Sequence, residues 1–181
     1  MTKNILTITG DINLETYKNC LRFIEKLNPT ENLNERKNII LIINSFGGNV
    51  DCAFAIYDLL AMCDFDITTI AVGCCASMAT ILLSLGTKRY ITANSTIVVH
   101  STGYSAQNVR LTQAEAWEKL NDTKVDNQKI IKCYLDSNNF KMTQDELEEI
   151  FKSGRDYKMS ASEAIEKGFA TDILTGLEEL M

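Results

Sequence analysis

Histidine, proline and tryptophan each occur once in this chain, as His100, Pro29 and Trp117, and glycine only nine times in 181 residues. With one histidine and no C-x-x-C pair among the cysteines (Cys20, Cys52, Cys63, Cys74, Cys75 and Cys133), no zinc-ligand spacing exists, and neither metal nor cofactor is expected. Basic residues are short as well: 18 Lys and Arg face 24 Asp and Glu, for a net charge of −6. Such a chain has no electrostatic footprint for a nucleic-acid backbone or an anionic membrane surface. The scarcity of proline and glycine, with 45% hydrophobic residues, also excludes a low-complexity or disordered chain.

No apolar targeting region opens the sequence, since Met1-Thr2-Lys3-Asn4 leads directly into an alternating run. The expectation is a cytoplasmic protein whose cysteines are small buried thiols rather than a disulfide framework. One long uncharged stretch, the 21 residues from Ile67 to Thr87, approaches the length of a membrane span. Its β-branched start, its interruption at Gly73 and its hydroxyl residues Thr68, Thr69, Ser77, Thr80, Ser84 and Thr87 instead predict a buried strand, a turn and a buried helix.

The rest of the chain alternates in the same way. A strand is expected around Ile5–Thr9, then a helix with Leu14, Tyr17, Leu21, Ile24 and Leu27 on one face, stopped by Asn28-Pro29. After a polar loop, Thr30–Asn38, the continuous run Ile39–Ile43 reads as a parallel strand covered on both faces. Asn44-Ser45-Phe46-Gly47-Gly48 reads as a turn before a helix over Val50–Met62, and Gly86 as a C-cap of the helix Met78–Leu85. Strands Tyr90–Thr92 and Thr96–Val99 precede a loop, Ser101–Leu111. Capping boxes Thr112/Glu115, Thr143/Glu146 and Ser160/Glu163 open three helices, the first a long one to about Leu135 with a polar middle, Asn121–Gln128. Such a helix projects or meets a partner. Gly154–Met159 reads as a linker. No repeat or long linker divides residues 1–181, so one α/β domain is expected.

Few residues offer chemistry. His100 is the only possible imidazole acid or base, and it follows a strand whose C-terminal end is where α/β sheets gather ligands. Ser77, in Gly73-Cys74-Cys75-Ala76-Ser77-Met78-Ala79, stands at a strand-to-helix junction. There a hydroxyl is either an N-cap or a nucleophile whose oxyanion meets free backbone N–H groups. The Gly47-Gly48 pair allows close backbone approach but lacks the lysine of a phosphate loop. Asp156 is either a solvated turn acid or the acid that orients an imidazole.

Together, Asn44-Ser45-Phe46-Gly47-Gly48, Ala76-Ser77-Met78, Val98-Val99-His100 and Arg155-Asp156-Tyr157-Lys158-Met159-Ser160-Ala161 resemble, in order and spacing, the proteolytic subunit of the Clp protease. The resemblance runs from about Ile5 to Ile173. It implies a crotonase-like spiral of β-β-α units with a projecting handle helix, here residues 112–135. It further implies a serine endopeptidase with Ser77 as nucleophile, His100 as base, Asp156 as orienting acid and the amides of Gly48 and Met78 as oxyanion hole. An extended polypeptide substrate would pair along Gly47, Gly48, Asn49 and Val50 on one side and Ser101, Thr102 and Gly103 on the other. Two stacked heptameric rings and an AAA+ unfoldase partner complete the implied picture.

The chain departs from the pattern at Phe46 and Thr102, where the family usually has proline, and at Ala79, where it usually has glycine. Few residues precede the first strand, so the family's pore segment is expected to be missing and an unfoldase partnership is disfavoured. Three other readings stand beside the peptidase: a catalytically inactive scaffold subunit, a dedicated virus-encoded maturation protease, and a crotonase-like acyl-CoA enzyme.

Overall fold

A computed structural model of the chain describes residues 4–27, 37–103 and 111–176. The expected helix stop Asn28-Pro29, residues 30–36 of the expected polar loop Thr30–Asn38 and residues 104–110 of the expected loop Ser101–Leu111 fall outside these residues, while Lys37 and Asn38 already belong to a strand. The first half alternates β1 (Asn4–Ile12), α1 (Leu14–Leu27), β2 (Lys37–Gly48), α2 (Val50–Ala61), β3 (Phe65–Ala76) and α3 (Ala79–Ser84). It continues through β4 (Lys88–Ile91), β5 (Thr96–Val99), α4 (Gln113–Leu135), α5 (Gln144–Ser153), β6 (Tyr157–Met159), α6 (Ala161–Lys167) and β7 (Asp172–Ile173). The α/β expectation holds: β1-β2-β3-β4-β7 form a path of parallel pairs, and β5 and β6 branch from β3.

The run Ile39–Ile43 explains the position of β2. Ile39, Ile40, Leu41 and Ile43 are all buried, so both faces of the strand are covered, and β2 pairs with β1 and β3 along its length. Each fully buried aliphatic side chain of this kind contributes about 1.5–3 kcal/mol. Among the described residues no helix is long and apolar enough to cross a membrane. The uncharged stretch Ile67–Thr87 is indeed strand, turn and helix.

β3 holds the sheet together by changing partner midway. Its first half pairs with β4, Thr68 opposite Lys88 through Ala71 opposite Ile91, and its second half pairs with β5, Cys74 opposite Thr96 through Ala76 opposite Val98. Gly73 lies between these halves at φ 74. The connection from β4 to β5 is fastened at the same point. Ser95 Oγ accepts from Gly73 N–H at 2.7 Å and donates to Ala71 O at 3.2 Å, while Thr92 N–H donates to Ala71 O at 3.0 Å.

Four sequence expectations change here. The expected turn Asn44–Gly48 is the last part of β2, with irregular register on both sides, and β3 runs through Gly73 instead of stopping there. Gly86 is no left-handed cap, because Leu85 caps α3. Its missing side chain leaves room for Thr69 Oγ1, which would lie 2.4 Å from a Cβ. The linker Gly154–Met159 contains β6, antiparallel to β5. All three capping boxes are present.

The long helix α4 is divided in its surroundings. Ile130, Ile131 and Tyr134 at its C-terminal end are buried, whereas Trp117 and Leu120 near its start are 63% and 48% exposed. Its apolar positions therefore serve two surfaces. Tyr134 packs on Phe140 and Phe169 with ring centroids 5.9 and 5.1 Å away. Arg89, fully buried without a carboxylate partner among the described residues, donates to the carbonyls of Gly86, Asn138, Gly168 and Phe169. That staple joins β4 to the segment after α4 and to the segment before β7.

Gly73→Ala places a side chain in a left-handed conformation and 3.1 Å from Asn44 Oδ1, which accepts from Cys74 N–H at 3.3 Å. The expected result is a loss of about 2 kcal/mol and a melting temperature lower by roughly 4–8 °C. An unchanged melting temperature in a thermal scan would contradict this account of β3.

Candidate active site

Ser77 follows directly from β3 and has φ 53, in the region that non-glycine residues seldom adopt and that costs them about 1–2 kcal/mol. Its backbone is held from two sides. Ser77 N–H donates to Val98 O of β5 at 2.8 Å, and Ser77 O accepts from Thr80 N–H at 3.0 Å and from the Thr80 hydroxyl. The Thr80 hydroxyl in turn accepts from the Tyr134 hydroxyl of α4, so α4 supports the serine through one buried relay. The side chain is not an N-cap: Met78 occupies that position of α3, without a side-chain bond. Ser77 Oγ has no hydrogen-bond partner among the described residues.

The ladders bring the other two candidates alongside. In the β5–β6 register, Ile97, Val98 and Val99 face Met159, Lys158 and Tyr157, so the next step puts His100 opposite Asp156. In the β3–β5 register, Ala76 lies opposite Val98, so the next step puts Ser77 beside Val99, one residue before His100. Ser77, His100 and Asp156 thus stand at the same end of three neighbouring strands. Among the described residues no hydrogen bond joins them. His100 Nδ1 instead donates to Ser101 O at 2.7 Å, which fixes the Nδ1–H tautomer and leaves Nε2 as the acceptor. Asp156 is exposed.

Neighbouring thiols do not compete as nucleophiles. Burial pushes the Cys75 thiol strongly upward, and it pushes Cys74 upward too, against the opposing pull of Lys158. Both remain thiols near neutral pH, and a thiol is a poor nucleophile beside a thiolate. All six cysteines are free thiols, but only Cys20 and Cys75 are buried; Cys52, Cys63, Cys74 and Cys133 are half-buried, so the expectation of buried thiols holds for two of the six. No group of metal-binding side chains occurs among the described residues.

The glycine segment lies against the serine. A Cβ on Gly47, at φ 97, would sit 2.6 Å from Ser77 Cβ, 2.9 Å from Ala76 O and 3.0 Å from Met78 N, so only glycine allows this approach. Gly48, at φ 152, would meet Ile12 O at 2.3 Å. The segment is pinned by Ser45 Oγ, which accepts from Gly47 N–H at 3.0 Å and donates to Gly10 O at 2.6 Å. Asn49 N–H donates to Ile12 O, and the Asn49 side chain caps α2 by accepting from Cys52 N–H at 2.8 Å. Val50 begins α2, and Phe46 is largely exposed beside this segment.

Across the site, Thr102 donates from N–H and from its hydroxyl to Asn127 Oδ1 of α4, at 2.8 and 2.9 Å. Gly103 is exposed, with open space where a Cβ would be. Asn127 sits in the polar middle of α4 and by sequence resembles any solvated helix residue. Only its spacing from Thr102 across the fold marks it.

A family model described as Clp protease matches residues 1–176. The ATP-dependent Clp protease proteolytic subunit 2 of Bifidobacterium longum is 33% identical over 147 residues, covering 77% of this chain and 65% of that protein. The subunit of the same name from Tropheryma whipplei is 34% identical, covering 77% of this chain and 75% of that protein. Subunit 1 from Mycobacterium leprae is 37% identical, with 77% and 67% covered. The chain thus spans about two thirds to three quarters of the length of these relatives. With the family model covering nearly all of it, the protein is a member of the Clp protease family.

Proposed function

We propose that this protein is a serine peptidase that hydrolyses peptide bonds of unfolded polypeptides or short peptides within an oligomeric chamber. The observation that carries the reading is the placement of Ser77, His100 and Asp156 at adjacent strand ends, with Ser77 held in a left-handed conformation and its hydroxyl unbonded. Family membership supports the same reaction class.

In this scheme the Ser77 hydroxyl attacks the substrate carbonyl carbon while His100 Nε2 takes its proton. The tetrahedral oxyanion forms beside the amides of Gly48 and Met78, where removal of one donor typically costs about 10²–10³ in rate. His100 then gives the proton to the departing amine, and water releases the acyl group by the reverse sequence. For Asp156 to hold the imidazolium, Nδ1–H has to turn from Ser101 O toward the neighbouring strand. A substrate in extended conformation lies between Gly47–Val50 and Ser101–Gly103, pairing main chain to main chain. The relatives' names describe the protease as ATP-dependent, and the proposal for this chain is confined to peptide hydrolysis.

The spiral of β-β-α units and the handle role of α4 belong to this proposal. The exposed start of α4 provides the assembly surface: Trp117 and Leu120 leave apolar area open while the other end is anchored in the core. Leu120→Glu is expected to lower the particle mass in light scattering, and an unchanged mass would remove α4 from the interface.

A second reading, a catalytically silent ring subunit, draws on the bond from His100 Nδ1 to Ser101 O in place of one to Asp156. Turnover of a fluorogenic peptide by the assembled protein separates the two. Ser77→Ala is expected to reduce kcat by about 10⁴-fold or more, and Asp156→Asn by up to about 10⁴-fold. Equal turnover in wild type and Ser77→Ala would end the peptidase reading. An Asp156→Asn loss below tenfold would show that the Ser101 carbonyl, rather than Asp156, orients the imidazole.

A further inference from the structure

We propose that Asn127 is a positioning residue for the peptide-pairing segment Ser101–Gly103, which α4 holds from behind through the Asn127 side-chain oxygen. The inference rests on the peptidase reading and names a residue that reading does not include. Asn127 Oδ1 accepts two hydrogen bonds from one residue, Thr102 N–H at 2.8 Å and Thr102 Oγ1–H at 2.9 Å. An amide oxygen has two lone pairs, and both are used here. The two donors fix which way the amide faces. Its NH₂ group meets no acceptor among the described residues, so the oxygen alone makes the tie. Thr123 O, one turn earlier on α4, lies 3.4 Å from the same hydroxyl and is the longer, alternative acceptor for its single proton.

The tie adjoins the contact of the catalytic base along the chain but does not include it. Thr102 is fixed to α4, and the carbonyl of the preceding residue, Ser101, accepts from His100 Nδ1 at 2.7 Å. Thr102 N–H is directed into α4, and there is open space where a Cβ on the neighbouring Gly103 would be. Asn127 thereby keeps the edge in register for an incoming strand without itself touching the substrate. The residue at position 102 makes this possible. Proline there would have neither an N–H nor a hydroxyl to donate, so the tie is a consequence of the threonine in this chain.

The test compares assembled wild type, Asn127→Ala and Asn127→Asp. Asp retains the acceptor oxygens, whereas Ala removes them. Three quantities are read: hydrogen exchange of the Thr102 amide, KM and kcat for a fluorogenic peptide, and the labelling rate with a small alkyl fluorophosphonate that has no peptide portion. In Asn127→Ala, Thr102 exchange and KM are each expected to rise about tenfold, the scale of one or two net hydrogen bonds. The kcat and labelling rate stay within about twofold, because a merely structural defect would lower all of them together. Asn127→Asp is expected to recover most of the change in exchange and KM.

Unchanged Thr102 exchange in Asn127→Ala overturns the proposal while leaving the peptidase reading intact. A parallel fall of kcat and labelling rate with no separate effect on KM overturns it too. Absence of both turnover and labelling in wild type overturns the peptidase reading itself, and the peptide-holding role with it.

Discussion

At Gly73 the backbone of β3 passes through a left-handed conformation, and the strand exchanges β4 for β5 as its neighbour. Without that change of partner, Ser77 would end beside β4, whose far side leads to β7, away from the strands that carry His100 and Asp156. The fork is made from small parts. Gly73 supplies the torsion, Ser95 closes the corner between β4 and β5, and Asn44 caps the amide that follows. A hydrophobic core covered on both sides of β2 and β3 then makes the arrangement rigid, since close-packed side chains resist a shift of register.

Downstream of the fork, backbone geometry does most of what the proposed chemistry requires. Ser77 carries a positive φ and is restrained by Val98 and Thr80, and Gly47 brings main chain against it where any side chain would collide. Strain of this kind persists only where surrounding bonds over-determine it, which is common where a side chain must be presented rather than buried. Helix α4 reaches both halves of the site. Tyr134 supports the serine through Thr80, and Asn127 supports the segment after the histidine through Thr102. The helix is exposed near its start, tied to Thr102 at its middle and to Thr80 near its end.

Much of this was legible in the sequence because the signals are local. The capping boxes at Thr112, Thr143 and Ser160 announce their helices with a residue pair each, and the apolar run Ile39–Ile43 states that its strand is covered on both faces. Ser77, His100 and Asp156 stand out by residue type, and the resemblance to the Clp protease proteolytic subunit is what proposes their roles. What escaped depends on pairing between distant segments. A three-residue strand such as β6 has no periodicity of its own and exists because β5 offers an edge. The continuation of β2 through Gly48 and of β3 through Gly73 runs against the usual weakness of glycine in strands, and neighbouring strands outweigh it. Gly86 looked like a cap, but its role is set by Thr69, seventeen positions earlier. Asn127 had no local mark at all.

The central claim is that the fork presents Ser77 as a nucleophile with His100 as its base, and intact-protein mass after exposure to a fluorophosphonate tests it most directly. The account predicts one adduct per chain in the assembled wild type and none in Ser77→Ala. An assembled wild type that takes up no adduct, or an adduct that persists in Ser77→Ala, would contradict it.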